Sequence, residues 1–241
     1  MAKIIIDIGH DLHDPGAVAN NTTEHNEARA IVFAAAEKLQ KIGAPFVIVP
    51  ENLNLQNKIF WTNANATQND FLISVHLNAA ANFEASGTSV YFCDGENGAQ
   101  SFAQTLAEKF SEILKIPNRG ARGDTTTRHG RLGIIRDTAP HAFLVEMGFL
   151  TNFGDLQAAR NFGGMALACA ILKFFSFQNP FLPREAAWAF TDVDFQNWAF
   201  DLIMEAKNKG ILGGFSDGSF RPKKSISRAE ILAIFRKMNL V

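Results

Sequence analysis

The chain has 241 residues, of which 47% are hydrophobic and 20% are charged, a balance typical of a globular protein with a large core. Its net charge of -1 argues against a nucleic-acid partner, and no segment is apolar and long enough to predict membrane insertion. At roughly 150 residues per domain, the length predicts one large domain, or one medium and one small domain. Met1 is followed almost at once by a strand pattern, which predicts that the chain carries no signal peptide.

Predicted strands and helices alternate along the larger part of the chain. Strands are predicted at 3–8, 45–50, 70–78, 87–94 and 141–149. Helices are predicted at 26–42, 54–67, 97–115 and 153–175, the last with Gly163 and Gly164 as a candidate interruption. This alternation predicts an α/β fold with a mostly parallel, twisted sheet flanked by helices.

Four residues of the types found in hydrolytic metal sites stand near the ends of these elements. His10, His76 and Glu146 lie at or near the ends of predicted strands, and Glu24 precedes a helix. Functional groups collect at the carboxyl ends of parallel strands. A catalytic zinc site uses three protein ligands and leaves one position for water, and a further carboxylate can move protons.

By residue type, two histidines and two glutamates fill the roles that such a site requires. Glu146 carries the most weight, because "FLVEMGF" places a carboxylate inside an apolar run, where ionisation without a partner is unfavourable. Spacing alone does not distinguish this site from hydrogen-bonded surface histidines and a carboxylate at the start of a helix.

The flanking sequences indicate a family. "IDIGHDLHDPGA", then Glu24, then "SVHLNA" and "LVEMGFLTN" closely resemble, in order and separation, the zinc-dependent N-acetylmuramoyl-L-alanine amidases of the Amidase_3 type, over residues 3–175. Those enzymes cut peptidoglycan between the lactyl group of N-acetylmuramic acid and the first L-alanine of the stem peptide. The resemblance implies one Zn²⁺ held by His10, Glu24 and His76, with Glu146 as the catalytic base and acid.

Three positions near these motifs leave alternatives open. The second ligand is either Glu24 or Glu27, since both lie in "TTEHNEA"; the resemblance favours Glu24, which stands before "HN". His13 occupies a place where the family usually has a glycine, and we expect it in a solvated loop rather than on the metal. Asn78 points to the same side of an extended chain as His76, which makes it a candidate for substrate binding or for turn capping.

Arginines crowd the segment "NRGARGDTTTRHGRLG", at positions 119, 122, 128 and 131. Their density predicts either a solvated loop or a rim that binds the carboxylates of the stem peptide. The "NRG" run recurs in the family, so the resemblance implies Arg119 as a substrate-binding residue.

The end of the chain resembles a single surface-layer homology (SLH) motif, in "FTDV", "GILGG", "DGSFRP" and "SRAE". We expect a proline-containing linker at 177–188 and a small helical domain at 189–241, with a helix near 198–208 and a capping box of Ser227 with Glu230. The resemblance implies binding of a secondary cell-wall polymer through Arg228. Such motifs usually come in threes, so one copy suffices, or three chains assemble, or wall binding is weak; a plain helical accessory domain is the alternative.

The sequence as a whole predicts a peptidoglycan hydrolase with a catalytic domain at 1–176 and a wall-binding domain behind it. Its expected partners are peptidoglycan and a secondary wall polymer, and it is expected to act at the bacterial cell wall as a monomer or an SLH-mediated oligomer. The layout favours a phage endolysin, released from the host cytoplasm, over a secreted bacterial autolysin whose leader was removed. The alternatives are another zinc hydrolase of cell-wall material, such as a peptidase or deacetylase, and a non-catalytic wall-binding protein.

Overall fold

The computed structural model describes residues 3–41, 43–96, 98–127 and 130–178, with side chains up to Leu172 in the last range, and then 190, 192–193, 199, 202–203, 206–207, 209–238 and 240. Two compact units are present, Met1–Ile171 and Leu172–Val241. Of the linker predicted at 177–188, only 177–178 are described, as the end of a helix. In the described part, no helix combines the length and the apolar character needed to cross a membrane.

Eight strands and six helices are described. The strands are β1 Ile4–Ile8, β2 Val18–Ala19, β3 Thr22–Thr23, β4 Phe46–Ile48, β5 Phe71–Asn78, β6 Thr88–Phe92, β7 Asn118–Gly123 and β8 His141–Phe149. The helices are α1 Glu24–Lys41, α2 Leu55–Asn65, α3 Ala99–Leu114, α4 Gly133–Arg136, α5 Phe153–Gln178 and α6 Arg228–Lys237, with a 3₁₀ turn at Asp124–Thr126.

Six of the strands form one twisted sheet in the order β4-β1-β5-β8-β6-β7, and β2 with β3 forms a separate two-stranded ribbon. All neighbours in the large sheet are parallel except β6 and β8, which are antiparallel. The prediction of a mostly parallel α/β sheet is therefore confirmed. Because β1, β5 and β8 are adjacent and parallel, their carboxyl ends meet at one edge of the sheet.

Helices cover both faces of this sheet, which explains why its inner strands β1, β5 and β8 are largely continuous apolar runs. On one face, Leu72 and Leu144 pack in a cluster with Ile59 of α2 and Ile134 of α4. On the other face, the ring of Phe102 in α3 lies 4.8 Å from the ring of Phe143, centroid to centroid. All five residues of β1 are buried, so this strand lies in the middle of the core.

Helix α5 runs without a break through Gly163 and Gly164, the candidate interruption that the sequence predicts. A Cβ at Gly164 would lie 2.5 Å from the Cβ of Ala34, and one at Gly163 would lie 2.9 Å from Cγ1 of Ile31. These glycines therefore allow α5 to approach α1 closely, and packing outweighs the low helix propensity of glycine.

The arginine-rich segment begins with a strand rather than a loop. Residues Asn118–Gly123 form β7, which pairs in parallel with β6 at the edge of the sheet. Its sequence, NRGARG, has no alternation of apolar and polar residues. An edge strand tolerates such exposed polar positions. The hydrophobic pattern could not reveal it.

The second unit contains the predicted helix start at Ser227. The Ser227 hydroxyl oxygen accepts from the backbone N–H of Glu230 at 3.2 Å, and the Glu230 carboxylate accepts from the backbone N–H of Ser227 at 2.7 Å. This reciprocal pair is the predicted capping box, and it begins α6. The helix expected near 198–208 falls mostly outside the described residues.

Candidate metal centre

His10 projects from the tight turn that follows β1. Its backbone has φ +61°, a left-handed conformation that residues with a Cβ rarely adopt. The preceding Gly9 donates its N–H to the Val75 carbonyl at 2.9 Å, and a Cβ there would lie only 2.6 Å from that oxygen. The turn thus needs glycine at position 9 in order to place the His10 ring beside β5.

Glu24 is the first residue of α1 and is buried, with 7% of its surface exposed. The Ala17 backbone N–H donates to its Oε2 at 3.1 Å, and the Leu77 N–H donates to its Oε1 at 3.3 Å. Gly16, at φ +67°, lets the chain fold back over the site, because a Cβ there would lie 2.4 Å from the His10 ring and 2.8 Å from Glu24 Oε2.

The structure brings the three predicted ligands together. His10 Nε2 lies 3.0 Å from Glu24 Oε2, and His76 Nδ1 lies 2.8 Å from Glu24 Oε1. One possible donor atom from each of the three residues lies within 4.8 Å of the other two. Two imidazoles and a carboxylate are a donor set that zinc accepts, and they leave a fourth position for water. The residues present therefore fit a Zn²⁺ ion.

The other nitrogen of His10 has a partner of its own. Its Nδ1 lies 3.1 Å from Asp14 Oδ2. Ligand histidines commonly donate their second N–H to a carboxylate, which fixes the tautomer and the ring orientation. Asp14 was not singled out in the sequence; its spacing of four residues from His10 was the available signal.

The charges of the cluster change the pKa of its members. Burial favours the neutral ring of His10, but the hydrogen bonds and charges of Glu24 and Asp14 outweigh it and raise the pKa of His10 to about 9. Burial disfavours the Glu24 carboxylate, yet hydrogen bonds with His10 and His76 lower the pKa of Glu24. Without metal, His10 therefore carries a proton near neutral pH, which a metal ion has to displace.

Glu146 lies next to this cluster on β8. It pairs with His76 in the register of β5 and β8 and with Ser89 in the register of β6. Its Oε2 is buried and has no hydrogen-bond partner among the described residues. Burial, with the nearby Glu24 charge and against the attraction of His76, raises the pKa of Glu146 to about 7. A carboxyl group with that pKa can both accept and donate a proton near neutral pH.

A cavity of about 660 Å³ opens over these four side chains. Its remaining walls are formed by residues of the turn before α1, the strand ends and the segment before α4: Gly16, Ala17, Leu77, Asn78, Ala79, Tyr91, Thr126, Thr127, Leu132 and Leu144. Asn78 thus lines the cavity, and its Oδ1 accepts from the Ala79 N–H at 2.8 Å. A volume of this order is typical of a ligand-binding cavity, and hydroxyl and amide groups are available on its walls.

Tyr91 was missed in the sequence although it lines this cavity. It pairs with Leu144 in the register of β6 and β8, two positions from the pair of Ser89 with Glu146. Burial and the Glu146 charge raise the pKa of Tyr91. Because side chains alternate along a strand, Tyr91 shares a face of β6 with Ser89, which is paired with Glu146. The sequence offers the alternation as a signal, but not the pairing.

The alternative second ligand, Glu27, is engaged elsewhere. Arg160 of α5 donates to both of its carboxylate oxygens, at 3.0 and 2.6 Å, and the Thr22 hydroxyl donates at 2.7 Å. These contacts lower the pKa of Glu27, the Arg160 hydrogen bonds most. His13 is exposed, and neither it nor Glu27 is a member of the three-residue donor cluster.

Among the described residues of the arginine-rich segment, no arginine lines the cavity. The Arg119 guanidinium donates to the Ser86 carbonyl at 3.3 Å and lies 5.1 Å from the centroid of the Phe149 ring, and it is not among the cavity-lining residues. Arg122 has a buried Nε with no hydrogen-bond partner among the described residues. Arg228 is an exposed first residue of α6 in the second unit, and Arg128 lies outside the described residues.

The chain has recognisable relatives among curated proteins. It is 26% identical over 164 residues to the N-acetylmuramoyl-L-alanine amidase CwlM of Bacillus licheniformis, covering 67% of this chain and 62% of that protein. It is also 26% identical over 159 residues to an endolysin of Bacillus phage SPP1, covering 63% of this chain and 56% of the endolysin. The chain thus spans less than two thirds of the length of these relatives.

A solved structure shares the fold. The N-acetylmuramoyl-L-alanine amidase AmiC2 of Nostoc punctiforme superimposes with a TM-score of 0.62 at 24% identity, covering 73% of this chain and 97% of AmiC2. The sequence model of the S-layer homology domain matches residues 189–232. The model of the N-acetylmuramoyl-L-alanine amidase family, Amidase_3, matches residues 4–173, where the sheet and the donor cluster lie. The chain therefore belongs to the Amidase_3 family of N-acetylmuramoyl-L-alanine amidases and carries an S-layer homology domain.

Proposed function

We propose that this chain is a zinc-dependent peptidoglycan amidase that cleaves the bond between N-acetylmuramic acid and the L-alanine of the stem peptide. The observation that carries the proposal is the position of Glu146. Its buried Oε2, which has no hydrogen-bond partner in the described part of the chain, belongs to a side chain that lines the same cavity as His10, Glu24 and His76. Membership of the amidase family supports the choice of substrate.

In this proposal His10, Glu24 and His76 hold one Zn²⁺. Bound at such a site, zinc activates water near neutral pH and polarises a carbonyl group. Asp14 orients the His10 ring through Nδ1. The Ala17 and Leu77 N–H groups hold the two Glu24 oxygens in place.

Glu146 moves the protons of the reaction. The oxygen of water attacks the lactyl carbonyl carbon while the Glu146 carboxylate takes a proton from that water. The C–N bond then breaks, and Glu146 gives the proton to the departing alanine nitrogen. The products are a lactyl carboxylate and a free amino terminus. In the metal-free site the pKa of Glu146 is raised to about 7, and a bound cation would lower it and favour the carboxylate that accepts the first proton.

Product analysis tests the reaction class. The full chain is incubated with purified peptidoglycan, with a chelator and after Zn²⁺ is added back, and the fragments are examined by mass spectrometry. Chelator-sensitive release of peptides with amino-terminal L-alanine supports the amidase. Free acetate indicates a deacetylase, and new ends within the stem peptide indicate a peptidase. Binding to walls with no product indicates a non-catalytic wall-binding protein.

We also propose that residues 189–241 bind a secondary cell-wall polymer and that Arg228 contacts the glycan. We also propose a catalytic domain at 1–176 and a linker at 177–188, which the family matches at 4–173 and 189–232 support. Arg228 is exposed at the start of α6, where an anionic group also meets the positive end of the helix dipole.

Sedimentation with purified walls tests this second role. Arg228→Ala should lower the bound fraction of the full chain, while Arg236→Ala, at the far end of α6, serves as the matched control. Equal loss in both variants would show that only general positive charge matters. Light scattering of the unbound protein shows whether the chains already form an assembly before they bind.

The biological setting proposed is that of a phage endolysin. The similarity to the Bacillus phage SPP1 endolysin supports it, and the comparable similarity to CwlM keeps the bacterial autolysin as the alternative. Expressed in a Gram-positive host, an endolysin accumulates inside the cell and lyses it only when a membrane pore is made. An autolysin expressed from its own gene with its leader appears in the wall fraction without that pore.

A further inference from the structure

A buried lysine binds the backbone of the turn that carries His10. Lys58 belongs to α2 and is 2% exposed. Its Nζ lies 2.8 Å from Asp7 Oδ1, donates to the His10 carbonyl at 2.5 Å, and donates to the Ile8 carbonyl. Two hydrogen bonds to carbonyls and one ion pair therefore hold the Lys58 ammonium group against β1 and the turn after it.

The position of Lys58 depends on a paired carboxylate. A buried ammonium is unfavourable unless it has a counter-charge and hydrogen bonds. Asp7 supplies the charge, and its Oδ2 accepts from the Ser74 hydroxyl of β5 at 2.6 Å. The network therefore joins β1, β5 and α2 at the edge of the sheet where the metal donors converge.

A second buried side chain holds the peptide group between these two carbonyls. His25 of α1 is 4% exposed, and its Nδ1 lies 2.9 Å from the Gly9 carbonyl oxygen. A carbonyl oxygen only accepts, so Nδ1 carries the proton. The three consecutive carbonyls at positions 8, 9 and 10 are thus all bound by Lys58 or His25, which we call the carbonyl clamp.

The carbonyl clamp holds the part of the turn with an unfavourable backbone conformation, at His10. The left-handed backbone of His10 is disfavoured for a residue with a Cβ, and such conformations persist where the surroundings over-determine them. Fixing the carbonyls at 9 and 10 fixes the peptide groups on both sides of the His10 Cα. That in turn fixes the direction of the ring, whose Nε2 faces Glu24.

We propose that Lys58 is a positioning residue of the metal site, and that with His25 it sets the geometry of His10 through the backbone. The inference rests on the proposed function, because it takes His10 as a ligand. Lys58 and His25 bind the backbone of the turn, and neither belongs to the donor cluster. Their effect should therefore appear in metal affinity beyond any effect on folding.

A pair of variants of the full chain separates the two effects. Asp7→Asn keeps Lys58 and its bonds to the carbonyls, whereas Asp7→Asn/Lys58→Met removes the lysine without leaving a stranded carboxylate. Zn²⁺ affinity is measured by competition with a chromogenic chelator, and thermal unfolding is followed without metal. We expect Asp7→Asn to unfold at a lower temperature than the wild type, because it leaves the buried ammonium without a counter-charge. We expect the double variant to bind zinc about 10- to 100-fold more weakly than the wild type.

Two further variants serve as controls. Lys58→Arg retains donors for the carbonyls and should bind zinc more tightly than the double variant. Asp155→Asn perturbs a buried carboxylate that accepts from Ser86, Gly87 and Phe149, so it should lower the melting temperature and leave zinc affinity unchanged.

The outcomes distinguish this inference from the proposed function. A folded double variant that binds zinc as tightly as the wild type overturns the positioning role and leaves the metal site intact. A wild-type chain that binds no zinc overturns the metal site, and the inference with it. If the double variant does not fold, His25→Phe decides: weaker zinc binding supports the carbonyl clamp, and unchanged binding overturns it.

Discussion

The Glu24 carboxylate lies between two imidazoles, with Oε2 3.0 Å from His10 Nε2 and Oε1 2.8 Å from His76 Nδ1. The three side chains come from the turn after β1, from α1 and from β5, and the carboxylate holds them together electrostatically when no metal is bound. The donor atoms that a zinc ion needs are therefore already close together. Preformed donors reduce the rearrangement that metal binding requires.

Glu24 and Glu27 should respond differently to loss of charge. Glu24→Gln should abolish stoichiometric zinc binding, because one of the three donors loses its charge. Glu27→Gln should retain zinc and lose about 1 kcal/mol of stability or less, since its partner Arg160 is 40% exposed and solvent screens the pair. Zinc content by elemental analysis and thermal unfolding report the two effects. Zinc retained in Glu24→Gln and lost in Glu27→Gln would contradict the ligand assignment.

Glu146→Gln should separate catalysis from metal binding. Without a proton acceptor, the rate of peptide release should fall by at least about 100-fold while zinc content stays at the wild-type level. Loss of zinc together with activity would show that Glu146 belongs to the ligand set instead.

The same variant should change stability with pH. Burial raises the pKa of Glu146 to about 7. Between its ordinary value and pH 7 the unfolded chain releases this proton and the folded chain keeps it, so the group lowers stability as pH rises through that window. Metal-free Glu146→Gln should therefore melt above the wild type at pH 8, with a smaller gap at pH 5. A gap independent of pH would contradict the environment described for this carboxyl.

Zinc affinity should rise with pH. With the pKa of His10 raised to about 9, the metal-free ring is protonated at neutral pH, and zinc has to displace that proton. Affinity should weaken about tenfold from pH 8 to pH 7, with release of about one proton per zinc. Calorimetry in buffers of different ionisation enthalpy measures the proton release. Binding without proton release would mean that the ring is already neutral.

Gly16→Ala should damage the site more than its backbone strain alone explains. Its φ is +67°, and a Cβ would lie 2.4 Å from the His10 ring. Gly43→Ala is the matched control, because it has φ +70° and open space around it. Both variants should lose about 1–2 kcal/mol of stability from the left-handed backbone, and only Gly16→Ala should also lose zinc affinity. Equal zinc affinity in the two variants would show that the site yields to the added methyl.

Much of the fold could be predicted from the sequence, because the pattern of hydrophobic residues indicates which positions of a strand or helix are buried. The run IIIDI predicts a strand covered on both faces, and the structure buries all of it. The span 141–149 was predicted as a strand and forms one from His141 to Phe149. The capping box at Ser227 was equally readable, since it depends on two residues three positions apart.

The sequence by itself determined the α/β class and the residue types available for a metal site, because strand periodicity and motif order are local properties. The resemblance already favoured Glu24 over Glu27, but only the tertiary structure shows that Glu27 is held by Arg160, 133 positions further along the chain. The same holds for the edge strand β7, for the approach of α5 to α1, and for Lys58, whose partners lie 48 and 50 positions away. Such contacts arise when distant segments pack together, and no local pattern of residues encodes them.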